Sequence, residues 1–362
     1  MLEGIRIIDF TNYLPGPYAT LRLAELGAEV IKIEPPGGDP ARSTGVSQTD
    51  AIGPVFLAQN RGKKSVSLNL KSEAGRNAAL KLIAGADAVI ESFRPKVMEK
   101  FGLGYAEVKK LNPGVVYVSI TGYGKGNPLA ELGSHDLNYM AISGILAQLK
   151  DQAGRPIHPS NTFADFIGGM AAAERILAGL VSRLKTGEGS YHCLSLADAM
   201  VSLMTNHVLL EQQTGYPQGV SVLNGTIVSY GLYETSDGRY VSMGALEPKF
   251  WQNFCDGVGR EDWVTAHFST ADSDNPVYRE IQELFKNKTF AEWIDFGQKV
   301  DCCLAPVLEV GELAEFPYFR DREVIYDNPV GARQVKMYSD LGGNSAAVPP
   351  AIGEHNDEVI KE

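Results

Sequence analysis

The sequence predicts an α/β protein whose first half is a mainly parallel sheet covered by helices on both faces. Over the first 125 residues, short and nearly continuous apolar runs alternate with segments of helical spacing, as in βαβ units. The pattern changes after about residue 222, and 362 residues are enough for two domains. We therefore expect a large α/β domain over 1–221, to which 321–362 returns, and a smaller α+β domain over 222–320.

Four apolar runs and five segments of helical spacing make up the predicted large domain. Gly27 follows the first of these helices as a C-terminal signal, and Ser72 is a favourable N-cap for the second. The pair Gly168 and Gly169 allows the fourth helix to pack very closely against something, and lets a bulky ligand approach its backbone. The strands are predicted at 5–10, 28–33, 87–90 and 115–120, and the helices at 17–26, 72–84, 137–149, 163–184 and 196–213.

The smaller domain begins with a predicted β-hairpin. Alternating residues at 226–233 and 239–243 flank a Thr-Ser-Asp-Gly turn, which is typical of two paired strands. The last forty or so residues are rich in Gly, Pro and Asn, and we expect them to return to the large domain or to wrap over a partner. The helices predicted between these segments cover 247–258, 277–286 and 289–300.

The charged residues exclude some classes of partner. The chain has 33 Lys and Arg against 44 Asp and Glu, a net charge of −11. So acidic a protein is a poor candidate for sequence-independent nucleic-acid binding or for an anionic membrane surface. One stretch, residues 40–71, is rich in cations, and we call it the basic segment. It is either a polyphosphate site or a solvated basic face. It contains Arg42, Arg61, Lys63, Lys64 and Lys71, against the single acid Asp50.

The cysteines and the apolar segments point to a cytoplasmic protein with reduced, buried thiols. No C-x-x-C or other metal spacing is present, so no metal site is expected. The N-terminus lacks a basic stretch followed by an apolar one, and the apolar region 163–181 is interrupted by three charged residues. We therefore expect no membrane contact. The four cysteines are Cys193, Cys255, Cys302 and Cys303.

A glycine-rich turn follows the predicted strand at 115–120. Gly122, Gly124 and Gly126 alternate with other residues, which resembles a phosphate-binding loop. The complete dinucleotide fingerprint is absent, and Asn127-Pro128 prevents a helix from opening directly behind the loop. A glycine turn after a strand is the simpler interpretation.

His135 and Asp136 stand at the predicted start of the helix 137–149. Backbone N–H groups at a helix N-terminus point outward and can hold an oxyanion, and a neutral imidazole is favoured there. The alternative is that Ser134 or Asp136 is a simple N-cap and His135 a surface residue.

Two further acids stand at predicted helix starts. Asp165 is a lone carboxyl among apolar and small residues, where it can act as a base, an acid or a nucleophile, or can simply cap the helix. Glu247 lies at a strand-to-helix junction of the smaller domain and is equally consistent with a cap.

Taken together, these motifs resemble the class III (family III) CoA transferase family, and within it the α-methylacyl-CoA racemase branch. The resemblance extends along the whole chain, and its specificity comes from the set rather than from any one member. Relative to that pattern, Lys100 replaces an arginine and Ser134 an alanine. The segments that carry the resemblance are 2–9, 15–17, 27–40, 60–65, 93–95, 133–139, 163–165 and 244–248.

The resemblance implies a Rossmann-like large domain, a smaller domain and two chains interlocked as a homodimer. It also implies an acyl-CoA substrate and no required metal or redox cofactor. His135 and Asp165 would be the two acid/base groups that flank the substrate's α-carbon, and Asp136 and Glu247 would be polar partners of the histidine. The residues implied in CoA binding are Arg42, Asn69, Lys71, Ser92, Phe93, Arg94, Lys100, Ser134, Asn138 and Tyr139.

Three functions remain open at this stage. A racemase would invert the α-carbon of a 2-methylacyl-CoA through an enolate, and His135 favours this interpretation. A CoA transferase of the same family would use Asp165 as a nucleophile that forms covalent intermediates. A CoA-binding protein without catalysis is the third, and the joint presence of His135, Asp165 and Glu247 argues against it.

Overall fold

The computed structural model describes residues 1–45, 52–151, 153–341 and 346–360. The chain forms two compact units. Unit 1 comprises Met1–Met204 together with Pro317–Glu362, and unit 2 comprises Thr205–Phe316. Unit 2 therefore begins earlier and ends slightly earlier than the segment 222–320 that the sequence pattern suggests, because the helix that starts at Thr205 belongs to it.

Unit 1 is built on a six-stranded parallel sheet, as the sequence predicts. Its spatial order is β3-β2-β1-β4-β5-β6, and all neighbouring pairs are parallel. In this doubly wound order the direction of winding reverses between β1 and β4, where the carboxyl ends of the strands form a ligand crevice. The strands are β1 (Arg6–Asp9), β2 (Glu29–Glu34), β3 (Lys64–Ser67), β4 (Ala88–Glu91), β5 (Val116–Thr121) and β6 (Ser190–Ser195).

The two outer strands, β3 and β6, are the ones that apolar runs do not predict. Both lie at an edge of the sheet, and their sequences KSVS and SYHCLS are largely polar. An edge strand is covered less completely than a central one, so it needs fewer apolar residues and leaves a weaker signal.

The five helices predicted in unit 1 are present, two of them shorter than expected, and Pro54–Gln59, Val97–Lys100 and Tyr105–Leu111 are helices that the pattern does not predict. The helix expected at 137–149 ends at Ile142, shortly before Gly144, whose φ of 85° is left-handed. The helix expected at 196–213 ends at Val201, and a separate helix follows in unit 2. The bounds are α1 (Pro15–Glu25), α2 (Pro54–Gln59), α3 (Glu73–Ala84), α4 (Val97–Lys100), α5 (Tyr105–Leu111), α6 (Asp136–Ile142), α7 (Phe163–Thr186) and α8 (Leu196–Val201).

Two glycines of α7 fix its distance from its neighbours. A Cβ on Gly169 would lie 2.6 Å from the Pro15 carbonyl oxygen, and one on Gly168 would lie 2.1 Å from Leu196 Cδ2. The expected close approach is therefore confirmed, but α1 and α8 occupy the space, so no ligand can use it. This packing brings the start of α7 next to the loop after β1 and to the end of β6.

Unit 2 has the α+β character that the sequence predicts. Strands β7 (Tyr230–Glu234) and β8 (Tyr240–Gly244) form the expected hairpin, and β9 (Leu304–Pro306) extends it as an antiparallel sheet. Three fully buried tryptophans, Trp251, Trp263 and Trp293, dominate its core. The helices are α9 (Thr205–Thr214), α10 (Pro248–Val258), α11 (Pro276–Phe285) and α12 (Phe290–Lys299).

The C-terminal segment of unit 1, which begins at Pro317, packs on the part of the unit formed by Met1–Met204. Arg61 donates a 2.7 Å hydrogen bond to Gln334, and the Lys64 ammonium pairs with Glu358 at 2.7 Å. The hairpin and helices of this segment are α13 (Pro317–Asp321), β10 (Ile325–Asp327), β11 (Arg333–Val335) and α14 (Asn356–Val359).

The cysteines depart from the expectation of buried thiols. All four are free, but only Cys255 and Cys302 are buried, whereas Cys193 and Cys303 are exposed. In the described parts of the chain, no helix combines the length and the apolar character needed to cross a membrane.

Candidate active site

A cavity of about 470 Å³ opens in unit 1 at the carboxyl ends of β1, β4, β5 and β6. His135 and Asp165, the two predicted acid/base residues, both line it, although they lie 30 positions apart in the sequence. Ser92, Ser134 and Tyr139 from the predicted CoA-binding set line it as well. This is the crevice that the doubly wound strand order provides.

The Asp165 carboxyl is in an unusual electrostatic position. Burial, reinforced by the nearby Asp136 carboxylate, raises its pKa to about 7. Asp165 is the third residue of α7, and its backbone N–H donates a 3.0 Å hydrogen bond to Asp136 Oδ1. Within residues 1–45, 52–151, 153–341 and 346–360, Asp165 forms no ion pair. Near neutral pH it can therefore give or accept a proton.

His135 presents its side chain from the residue directly before α6. Its backbone N–H donates to Asn138 Oδ1 at 3.0 Å, which holds the helix start in place. The side chain is exposed on the cavity wall, so a bound molecule can reach it.

Asp136 has a different contact from the one that the resemblance implies. The expected partner is His135, but Asp136 Oδ1 accepts the N–H of Asp165. The described residues include no hydrogen bond between the Asp136 and His135 side chains. Asp136 therefore orients the start of α7 and adds negative charge next to Asp165.

Two tyrosines hold the loop that carries His135. The Tyr139 hydroxyl donates to the Ser134 carbonyl at 3.0 Å, and the Tyr123 hydroxyl lies 2.6 Å from Ser134 Oγ. Burial raises the pKa of Tyr139 to about 12, so this hydroxyl keeps its proton. Gly122 is required because a Cβ there would lie 2.7 Å from the Tyr139 oxygen. The first glycine of the turn thus admits a tyrosine rather than a phosphate.

A second cavity, of about 400 Å³, lies at the carboxyl ends of β1 to β4. It brings together Asn69, Lys71 and Phe93, three of the residues implied in CoA binding. Lys71 is exposed, as expected. Asn12 lines both cavities, and Ser92 of the first cavity is followed directly by Phe93 of the second.

The remaining predicted CoA-binding residues, Arg42, Arg94, Lys100 and Asn138, are not among the described residues that line either cavity. Arg42 forms a bidentate pair with Glu34 at 2.7 and 2.6 Å. The Arg94 guanidinium lies beside Gly133, 2.9 Å from the position of a Cβ there. Their role in binding stays a prediction.

Most of the basic segment is neither a solvated face nor a free anion site, and Lys71 is the exception. Besides Arg42, three of its cations are paired within unit 1: Arg61 with Glu25, Lys63 with Asp9, and Lys64 with Glu29. Lys71 alone is exposed, and Asp50 lies outside the described residues. Most of this positive charge is therefore unavailable to a ligand.

Glu247, the fourth predicted catalytic residue, lies in unit 2 directly before α10 and is exposed. The role that the resemblance implies for it stays a prediction. In the described parts of the chain, no group of three or more His, Cys, Asp or Glu side chains is arranged to hold a metal ion.

Sequence reasoning missed the loop after β1. Asn12, Tyr13, Leu14 and Pro15 form one wall of the first cavity. A usable signal exists, because the turn after the first strand of a doubly wound sheet commonly contacts the ligand.

The fold and the cavity define a class: doubly wound α/β proteins with ionisable side chains in a cavity at the switch point of the sheet. The chain belongs to CoA-transferase family III, whose sequence model matches residues 2–356, and the resemblance is thereby confirmed.

Relatives within this family include two kinds of enzyme. An α-methylacyl-CoA racemase of Mus musculus is 30% identical over 372 residues, covering 100% of this chain and 93% of the racemase. A succinyl-CoA:glutarate CoA-transferase of Mus musculus is 30% identical over 383 residues, covering 100% of this chain and 86% of the transferase. A crystal structure of a CaiB/BaiF family protein from Brucella suis has a TM-score of 0.85 and 25% identity, covering 99% of this chain and 98% of that one.

Proposed function

We propose that the protein inverts the configuration at the α-carbon of a 2-methylacyl-CoA thioester by two-base proton transfer. One observation carries the proposal: His135 and Asp165 line a single cavity, and the Asp165 pKa is raised to about 7. Acid–base catalysis is most efficient when the pKa of the group lies near the working pH. The cavity therefore contains a pair of groups suited to exchanging protons.

In this mechanism the two groups exchange roles with the direction of reaction. In one direction the Asp165 carboxylate removes the α-proton and the protonated imidazole of His135 delivers another to the opposite side of the carbon. The reverse direction begins with neutral imidazole and protonated Asp165. A single base would tend to return the proton to the same side, so inversion needs both. Between the two transfers the substrate is an enolate with its charge on the thioester oxygen.

We assign the nucleotide end of the CoA thioester to the second cavity. Lys71 offers an exposed ammonium and Asn69 an amide beside an apolar wall that includes Phe93. A cation next to an apolar cavity suits a phosphorylated nucleotide. The proposed chemistry requires neither a metal nor a redox cofactor, in keeping with the expectation from the sequence.

A CoA transferase is the second candidate, supported by the transferase relative and by the presence of a carboxyl in the cavity. In that reaction Asp165 would attack a thioester as a nucleophile. A nucleophilic mechanism needs only this carboxylate, whereas His135 in the same cavity is the second ionisable group that inversion requires. We therefore favour the racemase.

Deuterium exchange tests the proposal. The protein is incubated with a 2-methylacyl-CoA in D₂O without any free carboxylic acid, and the product is analysed by mass spectrometry. We expect uptake of one deuterium, and loss of this uptake in His135→Ala. The control is His158→Ala, because His158 is exposed in unit 1 and does not line the cavity.

Two outcomes would overturn the racemase. If the wild-type protein takes up no deuterium but transfers CoA to a free acid, and hydroxylamine traps an acyl group on Asp165, the protein is a transferase. If it binds acyl-CoA and does neither, it is a CoA-binding protein without catalysis.

We also propose that the active form is a homodimer, interlocked as the family resemblance implies. Large apolar side chains on α7 are exposed in the single chain, among them Leu184 at 83% and Val181 at 53%. A second chain would remove them from water. Sedimentation equilibrium should give twice the mass of the chain, and a monomer at micromolar concentration would contradict this. The cytoplasmic location stays a prediction.

A further inference from the structure

Asn12 carries a polar atom that the described part of the protein leaves without a partner. Its side-chain oxygen Oδ1 is buried and accepts no hydrogen bond from any described residue. Buried acceptors are nearly always paired, so leaving this oxygen without a donor is unfavourable. A ligand that donates a hydrogen bond there would recover the loss.

The backbone around Asn12 is held firmly, so the unpaired oxygen is a property of the site rather than of a loose loop. The Asn12 N–H donates to Ser92 Oγ at 3.4 Å, and the Tyr13 N–H donates to Asp39 Oδ1 at 3.3 Å. The buried Lys32 ammonium donates to the Thr11 carbonyl at 2.7 Å. Rotation of the Asn12 amide about χ2 is soft, so Oδ1 can turn toward either cavity without moving the backbone.

Asn12 also lies where a long substrate must pass. It is the residue that the two cavities share, one with the acid–base pair and the other with Asn69 and Lys71. A molecule that places its reactive carbon in the first cavity and its phosphorylated end in the second extends past this side chain. The part of a CoA thioester between those two ends is the pantetheine arm, which contains two amide N–H donors.

We infer that Asn12 Oδ1 accepts a hydrogen bond from a pantetheine amide N–H and so positions the thioester between the two cavities. This inference rests on the proposed function, because it assumes a CoA thioester. Asn12 acts through this contact as a positioning residue and takes no part in proton transfer.

Binding measurements with parts of the CoA molecule test the contact. The dissociation constants of CoA and of adenosine 3′,5′-bisphosphate, which lacks the arm, are measured by calorimetry for the wild type, Asn12→Ala and Asn12→Asp. We expect Asn12→Ala to weaken CoA about tenfold, the usual effect of losing one hydrogen bond to a buried acceptor. Adenosine 3′,5′-bisphosphate should bind unchanged, which also shows that the variant is folded.

Asn12→Asp keeps an acceptor at the same place, so it should bind CoA within about threefold of the wild type. Lys71→Ala is the matched control from the second cavity and should weaken both ligands together. Loss of the Asn12 contact should thus affect CoA alone, whereas loss of the Lys71 ammonium should affect both CoA and adenosine 3′,5′-bisphosphate.

Three results would overturn the inference: Asn12→Ala binds CoA as the wild type does, it loses both ligands equally, or Asn12→Asp loses CoA as completely as Asn12→Ala. The proposed function fails separately. If the Asn12 variants bind as expected but the wild type exchanges no α-proton, the racemase proposal is excluded and the Asn12 contact stands. If the wild type binds no CoA, both the proposed function and the Asn12 contact are excluded.

Discussion

Two buried aspartates of unit 1 have opposite pKa shifts. Asp9, at the end of β1, is fully buried, which acts to raise its pKa, but the ammonium groups of Lys32 and Lys63 and two threonine hydroxyls outweigh burial and hold the pKa below its usual range. Asp165 is also largely buried, yet its charged neighbour is another carboxylate, and its pKa is raised to about 7.

The two shifts differ because Asp9 belongs to a network of ion pairs, whereas Asp165 has no cation beside it among the described residues. The Asp9 carboxylate lies 3.5 Å from the Lys63 ammonium, and Lys32 pairs with Asp39 at 2.8 Å. This paired network lies under the loop after β1, where opposite charges compensate one another. The uncompensated carboxyl of Asp165 faces the cavity instead, where a proton can come and go.

Breaking the paired network should cause the largest loss of stability. Asp9→Asn leaves the buried Lys63 ammonium without its carboxylate, which commonly costs about 3–5 kcal/mol of unfolding free energy. Because burial already lowers the pKa of Lys63 to about 7, this lysine can release its proton, so we expect about 3 kcal/mol. Urea unfolding followed by circular dichroism measures the change.

The exposed pair of Lys110 and Glu107, 2.9 Å apart on α5, is the control. Glu107→Gln should change the free energy of unfolding by less than about 0.5 kcal/mol. A loss below about 1 kcal/mol in Asp9→Asn would show that the network is not a structural requirement.

Asp165→Asn should stabilise the protein at alkaline pH. The unfolded chain releases this proton near 3.8, whereas the folded chain holds it to about 7, so stability falls as the pH rises between these values. Asparagine carries no such proton, so the variant should gain about 2–4 kcal/mol over the wild type at pH 8 and little at pH 4. Thermal unfolding at the two pH values measures this gain, and deuterium exchange should be lost.

Asp198 offers a matched control, because it is also the third residue of its helix, α8, but is exposed. Asp198→Asn should show no comparable difference between pH 4 and pH 8, since its side chain stays in water. An equal gain in both variants would mean that burial of Asp165 does not govern its titration.

Asp136→Asn should have the smallest effect. It keeps an acceptor for the Asp165 N–H and removes only the neighbouring negative charge. Burial is the larger cause of the raised Asp165 pKa, so removing the Asp136 charge lowers that pKa only slightly. In a pH profile of the deuterium-exchange rate, the acidic limb should therefore move to lower pH by less than about one unit. A limb that moves upward would contradict the assignment of Asp136.

Local pattern was sufficient for the central part of the fold, whereas the two principal candidate residues came from the family resemblance. The strands β1, β2, β4 and β5 are buried on both faces, so their apolar runs are visible in the sequence, whereas the polar edge strands are not. His135 and Asp165 stand at helix starts, where polar side chains are common as caps, so local pattern alone does not distinguish a catalytic residue from a structural one.

Residues whose meaning depends on distant neighbours could not be predicted in this way. Arg61 and Lys63 appear as free cations in the sequence, but the fold pairs them with Glu25 and Asp9. Asn12 has no local signal at all, and only the meeting of two cavities at its side chain makes it notable.

The sequence alone determined the alternation of strands and helices, the acidic balance and the chemical types at the candidate site, because these depend on neighbouring residues and on composition. The tertiary structure decided which charges are compensated, that Asp136 contacts Asp165 rather than His135, and that His135 and Asp165 share a cavity. Such properties arise from burial and from contacts between segments far apart in the chain, and the dielectric surroundings they create exist only after folding.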